Sequence, residues 1–207
     1  MQNWSNIHKV KFRSTYDGIP IMVSQRYRKM KSWIGLNEVL TYQGDKKTTG
    51  VHFFLDDYQF ERVFNAPKKW VDELKQFGCV LSPDFSLYAD FPVPIQKYNH
   101  FRKHWCGALW QKMGLTCYPT IAWSDRQSFQ WCFDGEPVGG VIATSNVGCT
   151  ANKDFRAGFM LGYNEMVRRL KPSKILMFGN EMEGLQGNIE FIHIGGFHGD
   201  KEKKGDA

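Results

Sequence analysis

Apolar residues along this chain recur at two periods, and the period switches repeatedly after residue 50. From Ala66 to Phe77, the residues Trp70, Val71, Leu74 and Phe77 share one helical face, Pro67 suits the first turn and Gly78 supplies the stop. Between Lys97 and Met113, the residues Phe101, Trp105, Leu109 and Met113 recur at every fourth position, with Gly114 as terminator. Asn152 or Asp154 caps a third helix whose stripe is Phe155, Phe159, Tyr163, Met166 and Leu170, and Lys171-Pro172 ends it. Ser124 is placed to open a shorter helix through Gln127 to Phe133, which Asp134-Gly135 closes. Between the helices lie short apolar runs without strict alternation: VHFFL (51–55), CVL (79–81), TCYPTIAW (116–123), GVIATS (140–145), KILMFG (174–179) and IEFIHIG (189–195).

Strands buried on both faces and separated by helices require crossover connections, so the pattern predicts an α/β fold with a parallel sheet. Six or seven strands are too few for a full eightfold barrel, which favours a compact or incomplete (βα) barrel over a doubly wound sheet. Residues 1–50, with IPIMV (19–23) and LTYQG (40–44), read as a β-rich arm or small lobe. Residues 51–198 form the α/β core, and 199–207 a polar tail.

In such a sheet, ligands bind where the strands end, because loops and helix N-termini converge there. Three apolar runs end on acid: Asp56 and Asp57, Asp84, and Asp125. Grouped carboxylates either bind a hard cation such as magnesium or divide into ionised and protonated partners. Asp84, Asp56 and Asp125 are therefore the candidate catalytic residues, with Asp56 and Asp84 as magnesium ligands. Asp57 and Ser124 have a structural alternative, since each stands where a helix N-cap belongs. Asp84 has none: Pro83 precedes it, and Pro92 and Pro94 read as excluding a regular helix beyond it. Trp123, Tyr88 and Phe85 offer aromatic surface for a base or sugar, although core packing is the commoner use of such residues. Ser145, Asn146 and Asn180 complete the candidate rim.

Charge adds a second feature. The net charge of +6 resides entirely in residues 1–50, which carry nine Lys or Arg against three acidic residues. Arg26, Arg28, Lys29 and Lys31, interleaved with aromatics, form the candidate nucleic-acid contact, and a solvated basic face is the alternative. His100 and His104 lie four apart, the spacing of a metal pair. There is no H-E-x-x-H, and Lys97, Arg102 and Lys103 around them point to an exposed basic face. His193 and His198 are reserve candidates. The five cysteines are odd in number and form no C-x-x-C pair, so they read as reduced, mostly buried thiols. With no long apolar run and no charged-then-apolar opening, the chain is expected in the cytoplasm, with no membrane partner.

The segments HFFLDDYQFERV, VLSPDFSLYADFP, PTIAWSDRQSF and FDGEPVGGVIATSNVG, in this order over roughly residues 35–185, resemble the phage and mobile-element family catalogued as domain of unknown function 4417. That resemblance implies a bacterial-host setting and work on nucleic acid or against a host defence. It transfers no catalytic residue. Two readings remain open: an enzyme whose acidic pocket acts on a nucleotide or nucleic acid, and a non-catalytic binder that sequesters a nucleotide signal or occludes a host protein or nucleic acid.

Overall fold

The apolar runs become parallel strands in a computed structural model that describes residues 10–149 and 153–193. β1 (Ser32–Gly35), β2 (Thr49–His52), β3 (Cys79–Leu81) and β4 (Cys117–Tyr118) pair in chain order. So do β5 (Val141–Ser145), β6 (Lys174–Phe178) and β7 (Ile189–Ile192). Every pairing is parallel, as the crossover pattern demands. The two halves join at a seam just beyond β4. Thr120 bridges Ala143, Ile121 N–H donates to the Ala143 carbonyl at 2.7 Å, and Ala143 N–H donates to the Pro119 carbonyl at 2.9 Å.

Across the other side the sheet nearly meets itself. Ser32, Trp33 and Ile34 of β1 and Glu190, Phe191 and Ile192 of β7 line opposite sides of a groove of about 690 Å³. Phe178 fills the interior between the halves, 4.6 Å from the Phe54 ring and 5.2 Å from Trp33. The architecture is α/β, an incomplete barrel in which β7 and β1 do not pair.

α1 (Asp57–Asn65) and α2 (Pro67–Leu74) connect β2 to β3, α3 (Val93–Lys112) connects β3 to β4, and α4 (Lys153–Leu170) connects β5 to β6. α3 corrects one expectation. Pro92 stands immediately before it and Pro94 in its first turn, where a missing N–H breaks no helical hydrogen bond, so the prolines start the helix instead of preventing it. The short helix expected from Ser124 to Phe133 reduces to a 3-10 turn at Ser128–Gln130. IPIMV and LTYQG form no strands; the bridge between Ser14 and Pro20 is the nearest to sheet. The expected boundary at residue 50 falls inside β2, and β1 precedes it.

Residues 10–31 act as a strap. Phe12 packs edge-on against Trp105, and Gln111 holds Val23 through both its amide N–H and its carbonyl. Met22 lies over Gly107, where an added Cβ would come within 2.5 Å of the methionine sulfur. The strap therefore covers the outer face of α3, and residues 102–110 are buried without interruption. It then crosses the N-terminal end of the sheet. Cys117 N–H donates to Gln25 Oε1 at 2.6 Å, Arg28 N–H donates to the Tyr118 hydroxyl, and that hydroxyl donates to the Arg26 carbonyl. The Arg28 guanidinium donates to the Gly78 carbonyl at 3.0 Å, just ahead of β3, and the Tyr27 hydroxyl donates to Glu190 of β7.

All five cysteines are free, and Cys79, Cys106, Cys117 and Cys132 are buried. Burial pushes the Cys79 and Cys132 thiols up to about 12, which leaves them poor nucleophiles.

Candidate active site

Three strands deliver residues to one cavity at the C-terminal end of the sheet. It holds about 460 Å³ and is bordered by Asp84 beyond β3, by Trp123 and Ser124 beyond β4, and by Thr144 and Ser145 of β5. Tyr88 closes one side, and Phe155 and Phe159 of α4 the other. No Lys or Arg lines it among the described residues.

Local packing explains how each wall is held. Trp123 lies 5.3 Å from Phe159, centroid to centroid, and its indole nitrogen sits 2.1 Å from where a Cβ on Gly162 would be. Only a glycine there lets the indole settle against α4. Ser145 Oγ accepts the Val147 N–H, and Ser124 Oγ donates to Gln96 Oε1 at 2.7 Å. The loop that carries Asp84 is fixed on its far side. The Asp57 carboxylate accepts both the N–H and the hydroxyl of Ser86, and Asn99 Nδ2 donates to the Ser86 carbonyl. Asp57 is thus the tether of the loop and not the N-cap of α1, a place that Asp56 takes.

Asp84 itself is partly buried and accepts no hydrogen bond among the described residues. Burial drives its carboxyl up to about 7; Lys103 opposes the rise and Asp57 adds to it. A carboxyl in that range holds both protonation states at neutral pH.

The other expected residues divide. Asp56 is exposed and lines the groove between β1 and β7, so it and Asp84 border different cavities. Asp125 accepts the Ser128 N–H at 3.0 Å and serves as a turn cap. Phe85 is 2% exposed and packs on Phe60, with the Arg102 guanidinium 3.9 Å from its ring centre, so it belongs to the core. Asn146 is buried and ties the ends of β5 and β6 through the backbone of Asn180, accepting its N–H and donating to its carbonyl. Arg26, Arg28, Lys29 and Lys31 are exposed. The segment that carries them packs against the N-terminal ends of the strands, away from Asp84. His193 lines the β1–β7 groove, and His198 lies outside the described residues.

The largest correction concerns His100 and His104. Their face of α3 is buried, 1% and 0% exposed, because the strap covers it. Glu136, which no sequence signal marked, meets them there. His104 Nε2 lies 2.9 Å from Glu136 Oε1, and Lys103 Nζ donates to the same oxygen at 2.6 Å and to the Thr120 carbonyl. Burial alone would raise the Glu136 carboxyl, but His104 and Lys103 outweigh it and hold it below its ordinary value.

The family described as domain of unknown function (DUF4417) matches residues 11–194. The chain belongs to this family. Among relatives, it is 40% identical over 134 residues to the Gene 1 protein of Mycobacterium phage L5, covering 65% of this chain and 58% of that one. It is also 40% identical over 129 residues to the Gene 1 protein of Mycobacterium phage D29, covering 62% and 48%. The chain thus spans about half the length of these relatives. No solved structure matches this DUF4417 chain. No helix among its described residues is long and apolar enough to cross a membrane.

Proposed function

We propose that this DUF4417 protein transfers a proton to or from a small, planar, uncharged substrate, a nucleobase or nucleoside, with Asp84 as the acid–base group. The observation that carries the reading is a carboxyl without a hydrogen-bond partner among the described residues, set in the wall of a cavity lined by aromatic rings, aliphatic side chains and hydroxyls, with Asp154 as its second carboxylate. Trp123 and Tyr88 supply faces for stacking, and Ser145 and Thr144 are polar groups at the cavity wall. The lack of lining cations disfavours a phosphate at this place, so the reading narrows from nucleotides to their neutral portion. In the neutral form Asp84 protonates a ring nitrogen or leaving group; in the ionised form it accepts a proton from one.

The test uses the full chain and a panel of nucleobases, nucleosides and nucleotides, with binding followed by calorimetry and product by mass spectrometry. Wild-type protein is expected to convert one neutral member. Trp123→Ala should weaken its binding by about tenfold, and Asp84→Asn should bind it without forming product. Turnover by Asp84→Asn at the wild-type rate, or no binding by any member, overturns the reading. Binding without conversion by the wild type would replace it with sequestration.

A further inference from the structure

A second polar centre lies outside the lining of the Asp84 cavity, buried between α3, the strap and the turn at Asp134–Glu136. One ligand atom each from His100, His104 and Glu136 can be chosen so that all three lie within 4.8 Å of one another, and all three residues are buried. The hydrogen bonds of the two rings define what those atoms offer. His100 Nε2 faces the Asp134 carbonyl at 3.0 Å, and His104 Nδ1 faces the Pro20 carbonyl at 2.9 Å. A carbonyl only accepts, so each of those nitrogens carries the proton. The opposite nitrogen of each ring, His100 Nδ1 and His104 Nε2, then presents a lone pair in the neutral ring. His100 Nδ1 and Glu136 Oε2 are buried with no hydrogen-bond partner among the described residues. His104 Nε2 faces the carboxylate oxygen Glu136 Oε1 at 2.9 Å, an ion pair when the ring is protonated and a lone pair against a lone pair when it is neutral.

Two unpartnered acceptors, His100 Nδ1 and Glu136 Oε2, beside one another in a dry interior are unfavourable, and each costs about 1–3 kcal/mol. One cation resolves both and takes the place of the proton that His104 Nε2 otherwise shares with Glu136. Fixing the far nitrogen of each ring on a backbone carbonyl is also how proteins orient histidine ligands and set their tautomer. Lys103 reinforces the arrangement: it occupies Oε1 of Glu136, which leaves Oε2 as the ligand oxygen. Two imidazoles and a carboxylate suit zinc. Magnesium, which prefers an all-oxygen shell, does not fit.

We propose that His100, His104 and Glu136 bind one zinc ion beneath the strap. The ion joins parts distant in sequence: α3, the turn at Glu136, and, through the His104 bond to the Pro20 carbonyl, the strap itself. Because all three ligands are buried in the folded chain, the ion's binding free energy becomes folding free energy. Three protein ligands leave the fourth position to water.

The experiment starts from the full chain unfolded in chelator, then refolded with and without one equivalent of Zn²⁺ or Co²⁺. One ion per chain is expected, with a higher melting temperature than the metal-free protein and the intense visible absorption of four-coordinate cobalt. His100→Gln and Glu136→Gln should each weaken binding by more than about 100-fold. If both variants fail to fold, the cobalt spectrum decides: a weak, six-coordinate spectrum marks a surface site and overturns the proposal. Retention of stoichiometric metal by both variants overturns it as well. So does a wild type that binds neither ion, in which case a buried water donating to His100 Nδ1 and Glu136 Oε2 fills the gap.

Discussion

The two ends of the sheet are built to opposite rules. At the N-terminal end, strap and strand edges are joined by paired polar groups: Gln25 to Cys117, Arg26 and Arg28 to Tyr118, Arg28 to Gly78 and Tyr27 to Glu190. At the C-terminal end, the loop is held from behind by Asp57, and the carboxyl it presents has no hydrogen-bond partner among the described residues. Groups that stabilise a fold are paired, whereas groups that react are held by their neighbours and kept free at the reacting atom. The cations expected to deliver a polyanion sit with the first set, and the carboxyl expected to do chemistry sits with the second.

Four variants, the last a double substitution, probe that contrast. On the proposed function, Asp84→Asn should have the largest effect, lowering turnover by at least about 100-fold. Stability moves the other way, and its sign follows from the raised carboxyl. Between pH 3.8 and about 7 the folded chain holds a proton there that the unfolded chain has released, so this group's contribution falls as pH rises through that window and is fully lost above it. The charged groups facing it are Lys103 from α3 and Asp57 from α1, with Asp154 of α4 bordering the same cavity. At pH 8 the Asn variant should therefore be more stable by about 2 kcal/mol, half the value for a carboxyl moved that far by full burial. Chemical denaturation at pH 5 and pH 8 checks this, and a variant equally destabilised at both pH values contradicts it.

Next in size is Gly162→Ala. The added methyl takes the place of the Trp123 indole, so ligand binding weakens by about tenfold and stability falls by about 1–3 kcal/mol, while the rate of the bound complex is kept. A KM and kcat measured separately would expose any other division. At the N-terminal end, Tyr118→Phe leaves the Arg28 N–H and the Arg26 carbonyl unpaired, for a loss of about 1–2 kcal/mol in urea unfolding with turnover unchanged. The smallest effect belongs to charge reversal at Arg26 and Lys29. These exposed side chains should shift stability by less than about 0.5 kcal/mol and leave turnover intact. A loss of turnover here would mean that the two ends work together after all.

What could be seen from sequence follows how local each signal is. α2 was legible because Pro67, the Trp70–Val71–Leu74 face and Gly78 lie within one short stretch. Pro92 and Pro94 misled because a proline reads alike whether it breaks a helix or opens one; the outcome depends on which turn it occupies. The strand ends were placed well enough to put Asp84, Trp123 and Ser145 around one cavity. Which way a carboxylate points after a strand depends on the backbone of the next two residues, so the separation of Asp56 from Asp84 could not be read. The burial of His100 and His104 was out of reach for another reason. The strap that covers them comes from some 80 residues earlier in the chain, and basic neighbours such as Lys103 find their partner in Glu136, a residue of an unremarkable turn.

The seam between β4 and β5 carries a mechanical consequence. Each half of the sheet is laced by its own ladder, whereas among the described residues the halves share one bridge, at Thr120 and Ala143, and the far edges β1 and β7 do not pair. A ring left open on one side and thin on the other bends most easily at its thin point, as a split washer does. The Asp84 cavity spans that point, with Asp84 and Trp123 mounted on one half and Ser145, Phe155 and Phe159 on the other. The acid and the opposite wall are therefore joined across that seam and not within one ladder, and the Trp123 ring, packed on Phe159 of α4, is the side chain that spans it.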